Sequence, residues 1–141
     1  MVELPDVNVL YALHDPSYHG HREATEWFDQ VSEFATTPIT ESALVRLMLN
    51  PEVGQGRVMP TQAWMALDRL RTRPGAVFWP DGIRGVSSRF RYAVTGHRQV
   101  TDIHLLELVR LHEGRLVKLD KRIVAALKPS DRKLVHILPT H

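Results

Sequence analysis

Four acidic residues, Asp6, Glu41, Asp102 and Asp120, stand where a carboxylate can do chemistry. The clearest geometry is that of Thr101–Asp120, TDIHLLELVRLHEGRLVKLD. Ile103, Leu106 and Val109, extended by Leu105, Leu108 and Leu111, recur at helical spacing. Thr101 is placed to cap that helix and Gly114 to stop it. Arg115–Leu119 alternates polar and apolar residues and predicts a short strand. A helix of about 13 residues, rising roughly 1.5 Å each, carries the chain about 20 Å away. A strand of about five residues, at roughly 3.3 Å each, brings it back about 17 Å. Packed antiparallel, the two return Asp120 to the neighbourhood of Asp102. Carboxylates so placed repel unless a proton or a metal sits between them. Clustered carboxylates are hard oxygen ligands, suited to Mg²⁺ or Mn²⁺ rather than zinc. Such an ion can activate water and steady the charge of a phosphodiester during in-line attack.

The other two carboxylates are placed by the rest of the pattern. Val2–Leu4 predicts a strand that delivers Asp6, followed by a helix over Val7–Leu13. Asp15-Pro16-Ser17 breaks it, and His19–Val31 predicts a second helix with Ala24, Trp27, Phe28 and Val31 on one face. Phe34–Thr37 predicts a second strand, which Pro38 ends, and Glu41 opens a third helix, Glu41–Asn50. That helix is apolar almost all round, so it is either buried or covered by a partner. Pro51–Arg57 reads as a loop. Pro60–Arg73 predicts a helix with Trp64, Leu67 and Leu70 in line, Pro60 suiting its first turn. Ala76–Trp79 predicts a strand, Asp81–Gly85 a turn and Val86–Val94 a short helix. Lys121–Leu127 predicts a helix, and Leu134–Leu138 a last strand. Strands alternating with helices predict an α/β domain on a mostly parallel sheet, one domain over residues 1–141. Sites in such sheets form beyond the carboxyl ends of the strands. Asp6 follows the first strand, Glu41 the second and Asp120 the fourth, and Asp102 opens the helix beside it. The plain alternative is that each of these caps a helix or follows a strand. It fits any one of them but fits four at corresponding ends much less well.

Eighteen Lys and Arg against 16 Asp and Glu leave a net charge of +2, so charge placement matters more than the total. There is no cysteine, hence no disulfide framework and no thiolate metal site. No apolar run approaches membrane-spanning length, and the start MVELPDVNVL lacks the basic region of a signal peptide, so a cytoplasmic location is expected. From Gly82 to Thr101 there is no acidic residue, while Arg84, Arg89, Arg91, His97 and Arg98 are interleaved with Phe90 and Tyr92. A basic, aromatic lip leading into Asp102 is what a nuclease needs to hold a phosphate backbone. Its alternative is a solvated face with aromatics in the core. Arg69, Arg71 and Arg73 read as surface. Thr40 and Thr101 could support ligands or bind phosphate, against the simpler role of helix capping. Asp81 suits a turn before Gly82 better than a fifth ligand. Arg46 reads equally as a partner of Glu41 or a phosphate, or as a solvated charge. His19 and His21 lack a third nitrogen ligand nearby, and His104, two residues beyond Asp102, points elsewhere on a helix. Trp27 and Trp64 read as packing residues.

Four stretches together resemble the PIN-domain ribonuclease toxins of the VapC family, in its branch abundant in mycobacteria. They are LPDVNVLYAL with Asp6, TPITESALVRL with Glu41 and Arg46, GHRQVTDIHLLEL with Asp102, and GRLVKLDKRI with Asp120. They span residues 4 to 123, and Asn50-Pro51 fits the same branch. The resemblance implies a three-layer α/β/α sandwich and a Mg²⁺- or Mn²⁺-dependent endoribonuclease acting on structured RNA, transfer RNA foremost. It also implies a homodimer and a cognate, VapB-like antitoxin. Asp6, Glu41, Asp102 and Asp120 match the family's acidic quartet, and Asn8 a polar position that orients the first Asp. Ile103 departs from it, since a small residue is commoner there. Two other readings stay open on sequence alone: a PIN-like module that binds RNA or a partner without cleaving, and a DNA nuclease of the same fold.

Overall fold

The structure, a computed structural model, describes residues 1–54, 57–84 and 89–139. Five strands form one sheet: β1 (Glu3–Pro5), β2 (Phe34–Thr36), β3 (Ala76–Phe78), β4 (Arg115–Lys118) and β5 (Val135–Ile137). Their order is β3-β2-β1-β4-β5, and every pairing is parallel. The helices are α1 (Val7–His14), α2 (His21–Gln30), α3 (Pro38–Leu49), α4 (Pro60–Thr72), α5 (Val100–Leu111) and α6 (Arg122–Ala126).

Side chains alternate across a strand, and this splits the core in two. Leu4, Ala35 and Leu116 pack with α5 and α6 on one face, while Phe34 and Val117 pack with α1, α2 and α3 on the other. The result is the expected three-layer α/β/α sandwich.

α5 is buried continuously from Ile103 to Val109, far beyond a single stripe, because the sheet covers one side and Trp79, Phe90 and Ala93 cover another. Ile103 is fully enclosed there, so the bulkier side chain is absorbed by the core. Leu111 instead is exposed. The helix begins at Val100, straight out of a 3-10 turn over His97–Gln99, so Thr101 lies inside it rather than capping it. At its other end Glu113 takes the left-handed conformation, φ 56°. Glu113 N bonds Arg110 O at 3.3 Å and Gly114 N bonds Val109 O at 2.8 Å, the paired bonds of a Schellman stop. Gly114 is needed for a different reason: a Cβ there would lie 2.5 Å from Val2 O and 2.8 Å from the Trp79 ring.

α3 opens at Pro38, three residues before the predicted start. Pro38 does not end a strand so much as occupy the first helical turn, where its missing N–H costs nothing. Thr37 is the cap, accepting from Thr40 N at 3.1 Å, while Thr40 Oγ1 accepts from Thr37 N at 2.9 Å. The predicted helix Val86–Val94 lies partly outside the described residues, as do the Asp81–Gly85 turn and the Pro51–Arg57 loop. Within the described residues that stretch forms only a 3-10 turn, Arg91–Ala93.

Candidate active site

Strand order reverses at β1: the chain runs outward through β2 and β3, then crosses back to place β4 on β1's other side. A crevice opens at the carboxyl ends of strands at such a switch, and the acidic residues gather there. Asp6 directly follows β1, and its N–H bonds Val117 O of β4 at 2.9 Å. Its carbonyl receives the N–H groups of Val9 and Leu10, starting α1, but its side chain makes no capping bond. Asp6 is buried, its side chain 9% exposed, and the carboxylate is left for the crevice. Helix capping, the simplest alternative role for this residue, is therefore not what its side chain does.

Asp6, Asp102 and Asp120 line one cavity of about 310 Å³, together with Asn8, Thr101, Arg98, Arg122 and Lys118. One of the lining residues is a lysine that contacts two of the carboxylates. Lys118, the last residue of β4, donates to Asp102 Oδ1 at 2.7 Å and to Asp6 Oδ2 at 3.3 Å. Burial pulls the pKa of this ammonium down, but Asp6 and Asp102 outweigh it and the net shift is upward, so the lysine is charged. Asp102 is also shifted upward: burial comes first, Lys118 opposes it, and Asp6 and Asp120 add to it. One shared ammonium does not satisfy two buried carboxylates with a third nearby. Asp120 is held below its usual range, chiefly by hydrogen bonding from the Arg122 side chain against a smaller burial effect. Its Oδ1 accepts from Arg122 N at 2.9 Å and its Oδ2 from Arg122 Nε at 2.6 Å. The helix-and-return-strand geometry expected of Thr101–Asp120 is thus realised, with a cation inside it.

Glu41 faces elsewhere. It lines a second cavity of about 570 Å³ with Arg46, Trp64, Arg71 and Phe78. Its Oε2 accepts from Thr36 Oγ1 at 2.7 Å, and its Oε1 from Arg71 Nε at 3.1 Å and Nη2 at 2.5 Å. Arg71 is therefore no idle surface charge but half of a fork that ties α4 to α3. Thr40 is spent on the helix cap. Asn8 Oδ1 accepts from Tyr18 Oη at 3.4 Å, and Asn8 also borders a neighbouring cavity with Tyr18, His19, Asp120 and Lys121. Asp81 pairs with His104 Nε2 at 2.6 Å, which makes it a tie between the turn and α5.

Of the four arginines expected to hold RNA, Arg98 lines the carboxylate cavity. Arg89 lies 3.6 Å from Asp131, and Arg84 and Arg91 are exposed. The interleaved aromatics belong to the structure: Phe90 is fully buried, and Tyr92 bonds Asp131 at 2.5 Å. Trp27 is core, but Trp64, expected there too, is 52% exposed, and Ala63, Ala66, Leu67 and Leu70 make the buried face of α4.

Two charged residues of these sites, Lys118 and Arg122, went unread in the sequence, and a third, Arg71, was read as surface. Lys118 left a usable signal. A lysine on an inner strand of a parallel sheet, covered on both faces, needs a carboxylate to meet it.

Among the described residues no three His, Asp or Glu side chains are grouped tightly enough to hold a metal ion as they stand. The donor set nevertheless fits a hard divalent ion. Three carboxylates face one cavity, two of them already grip a cation, and the third raises the pKa of its neighbour.

Comparison with known proteins follows the same line. No family model matches the chain. The chain is 43% identical over 124 residues to Ribonuclease VapC39 of Mycobacterium tuberculosis, covering 85% of this chain and 89% of that protein. It is 35% identical over 137 residues to Ribonuclease VapC38 of the same organism, covering 96% of each, and 35% identical over 121 residues to Ribonuclease VapC29, covering 85% and 86%. With identity at this level across nearly the full length of several such proteins, the chain belongs to the VapC family of PIN-domain ribonucleases.

Proposed function

We propose that this VapC-family ribonuclease, the toxin half of a toxin–antitoxin pair, cuts structured RNA, transfer RNA foremost, at the crevice between β1 and β4 with Mg²⁺ or Mn²⁺. The observation that carries the reading is the convergence of Asp6, Asp102 and Asp120 on one cavity at the sheet's switch point. Asp6 and Asp102 would hold the ion. Bound there, it supplies positive charge and Lewis acidity to a phosphodiester. The chain's own groups do the rest. Asp120, fixed by Arg122, faces the same space as a third carboxylate toward the ion. Arg98 and Arg122 at the cavity wall offer guanidinium groups to the RNA phosphates. Glu41 is assigned as the fourth carboxylate on the family resemblance, since Thr36 and Arg71 hold it in the second cavity.

The test is cleavage of transfer RNA in Mn²⁺, with and without chelator, by wild type and single variants. Asp6→Asn, Asp102→Asn and Asp120→Asn should each lose most activity, on the order of a hundredfold or more, with the fold retained. Glu41→Gln should lose activity as well. If it keeps activity and only melts earlier, Glu41 is a structural tie between α3 and α4. One observation favours a second reading, a PIN-like module that binds RNA without cleaving it: the Lys118 ammonium already lies between Asp6 and Asp102. Chelator-insensitive RNA binding with no cleavage in any divalent ion would establish that reading instead.

A further inference from the structure

β4 is an inner strand, paired with β1 on one side and β5 on the other. Its last residue, Lys118, is 7% exposed. An ammonium taken that far out of water is costly unless carboxylates surround it. Here two do, at 2.7 Å and 3.3 Å, and they are 16 and 112 residues away in the chain. They are also the two carboxylates that the proposed function assigns to a divalent ion. A monovalent charge tethered to β4 thus stands between the groups that would hold the ion.

We infer that Lys118 is a built-in counter-ion which a divalent metal must displace from Asp6 and Asp102, so that metal binding by this chain is an exchange of one cation for another. The inference rests on the reading of Asp6 and Asp102 as the metal-holding pair. Two consequences separate it from a merely structural lysine. In the metal-free chain the ammonium offsets part of the buried carboxylate charge, so the chain folds without the ion. The ion's affinity is lowered by whatever it takes to move the ammonium away, so removing the ammonium strengthens binding. A lysine that only propped the carboxylates in place would do the reverse, since its loss would disorder them and weaken binding.

The measurement is a Mn²⁺ titration read from the electron paramagnetic resonance signal of the free ion, with melting curves in EDTA and in Mn²⁺ alongside. Lys118→Met should bind Mn²⁺ about tenfold more tightly than wild type or better. It should also melt earlier in EDTA and show a larger Mn²⁺-induced rise. Lys118→Gln, which keeps a polar end, should move the same way and serves if the methionine variant folds poorly. A neutral variant that folds only with Mn²⁺ present supports the exchange equally, since the ion then replaces the missing charge. Equal or weaker Mn²⁺ binding by the folded neutral variants, with wild-type binding lost in Asp102→Asn, overturns the exchange and leaves the metal site standing. Absence of Mn²⁺ binding in wild type and in both neutral variants overturns the metal site and the exchange together.

Discussion

Lys118 divides one charge between two carboxylates, and Asp102 carries the deficit. Its pKa is raised above the ordinary 3.8, burial being the largest cause. A carboxyl whose pKa is higher in the folded state binds its proton more tightly there than in the unfolded chain. From 3.8 upward to the raised value, the native state therefore holds more protons, and this group's contribution to stability falls as the pH rises. In EDTA, the melting temperature of wild type minus that of Asp102→Asn should be least favourable at neutral pH. It should improve as the pH is lowered toward 3.8. A difference that does not change with pH would mean Asp102 titrates normally. Asp6, Asp102 and Asp120 were legible in the sequence because each adjoins a strand end or a helix start, which local pattern can place. Lys118 and the Arg71–Glu41 fork were not. Their partners lie across the sheet or on another helix, and no spacing rule links residues 112 or 30 apart.

Local chemistry also explains which elements could be read and which could not. The sheet strands, α1, α2 and α4 follow from apolar period and from breakers such as Pro16 and Pro60. The starts of α3 and α5 were displaced because a cap is a choice among neighbours. Thr37 and Thr40 cap each other ahead of Glu41, and the turn at His97–Gln99 runs directly into α5, leaving Thr101 nothing to cap. That turn presents Arg98 at the wall of the carboxylate cavity, whereas Arg89 lies beside Asp131. The two arginines should respond differently. Arg98→Ala should weaken RNA binding across sequences and reduce the slope of log affinity against log salt by about one contact's worth, roughly 0.7 to 0.9. Arg89→Ala should leave that slope closer to wild type and lower the melting temperature slightly, as an ion pair with one half-exposed partner is worth about 1 kcal/mol or less. Equal slopes for wild type and Arg98→Ala would remove Arg98 from the RNA path.

At the scale of the molecule, exposed apolar residues are unevenly spread. Trp64 and Met65 on α4 are 52% and 54% exposed, Phe78 at the end of β3 is 53%, and Met59 just before α4 is 54%. Trp64 and Phe78 share the cavity that holds Glu41 with Val45 and Leu67, so apolar surface continues from α3 across α4 to the edge strand. The all-round apolar character of α3 is explained in the same way: Leu44 is buried, Val45, Leu47 and Met48 are half-buried, and Leu49 is exposed. Contiguous apolar surface on this scale marks an interaction face. β3 is an edge of the sheet, and an unpartnered edge beside exposed aromatics favours association over solvation. A homodimer built on α3 and α4 is therefore expected, the same patch serving both copies as a twofold contact requires. A cognate antitoxin segment should bind along its margin. Trp64→Glu and Met65→Glu test this with little risk to the fold, since both side chains already meet water. Light scattering should report a dimer for wild type and a monomer for either variant, with unchanged circular dichroism, and inhibition by the co-encoded partner should weaken. If both variants keep the wild-type mass and full inhibition, the dimer and antitoxin contacts lie away from α4, and the exposed face answers to some other ligand.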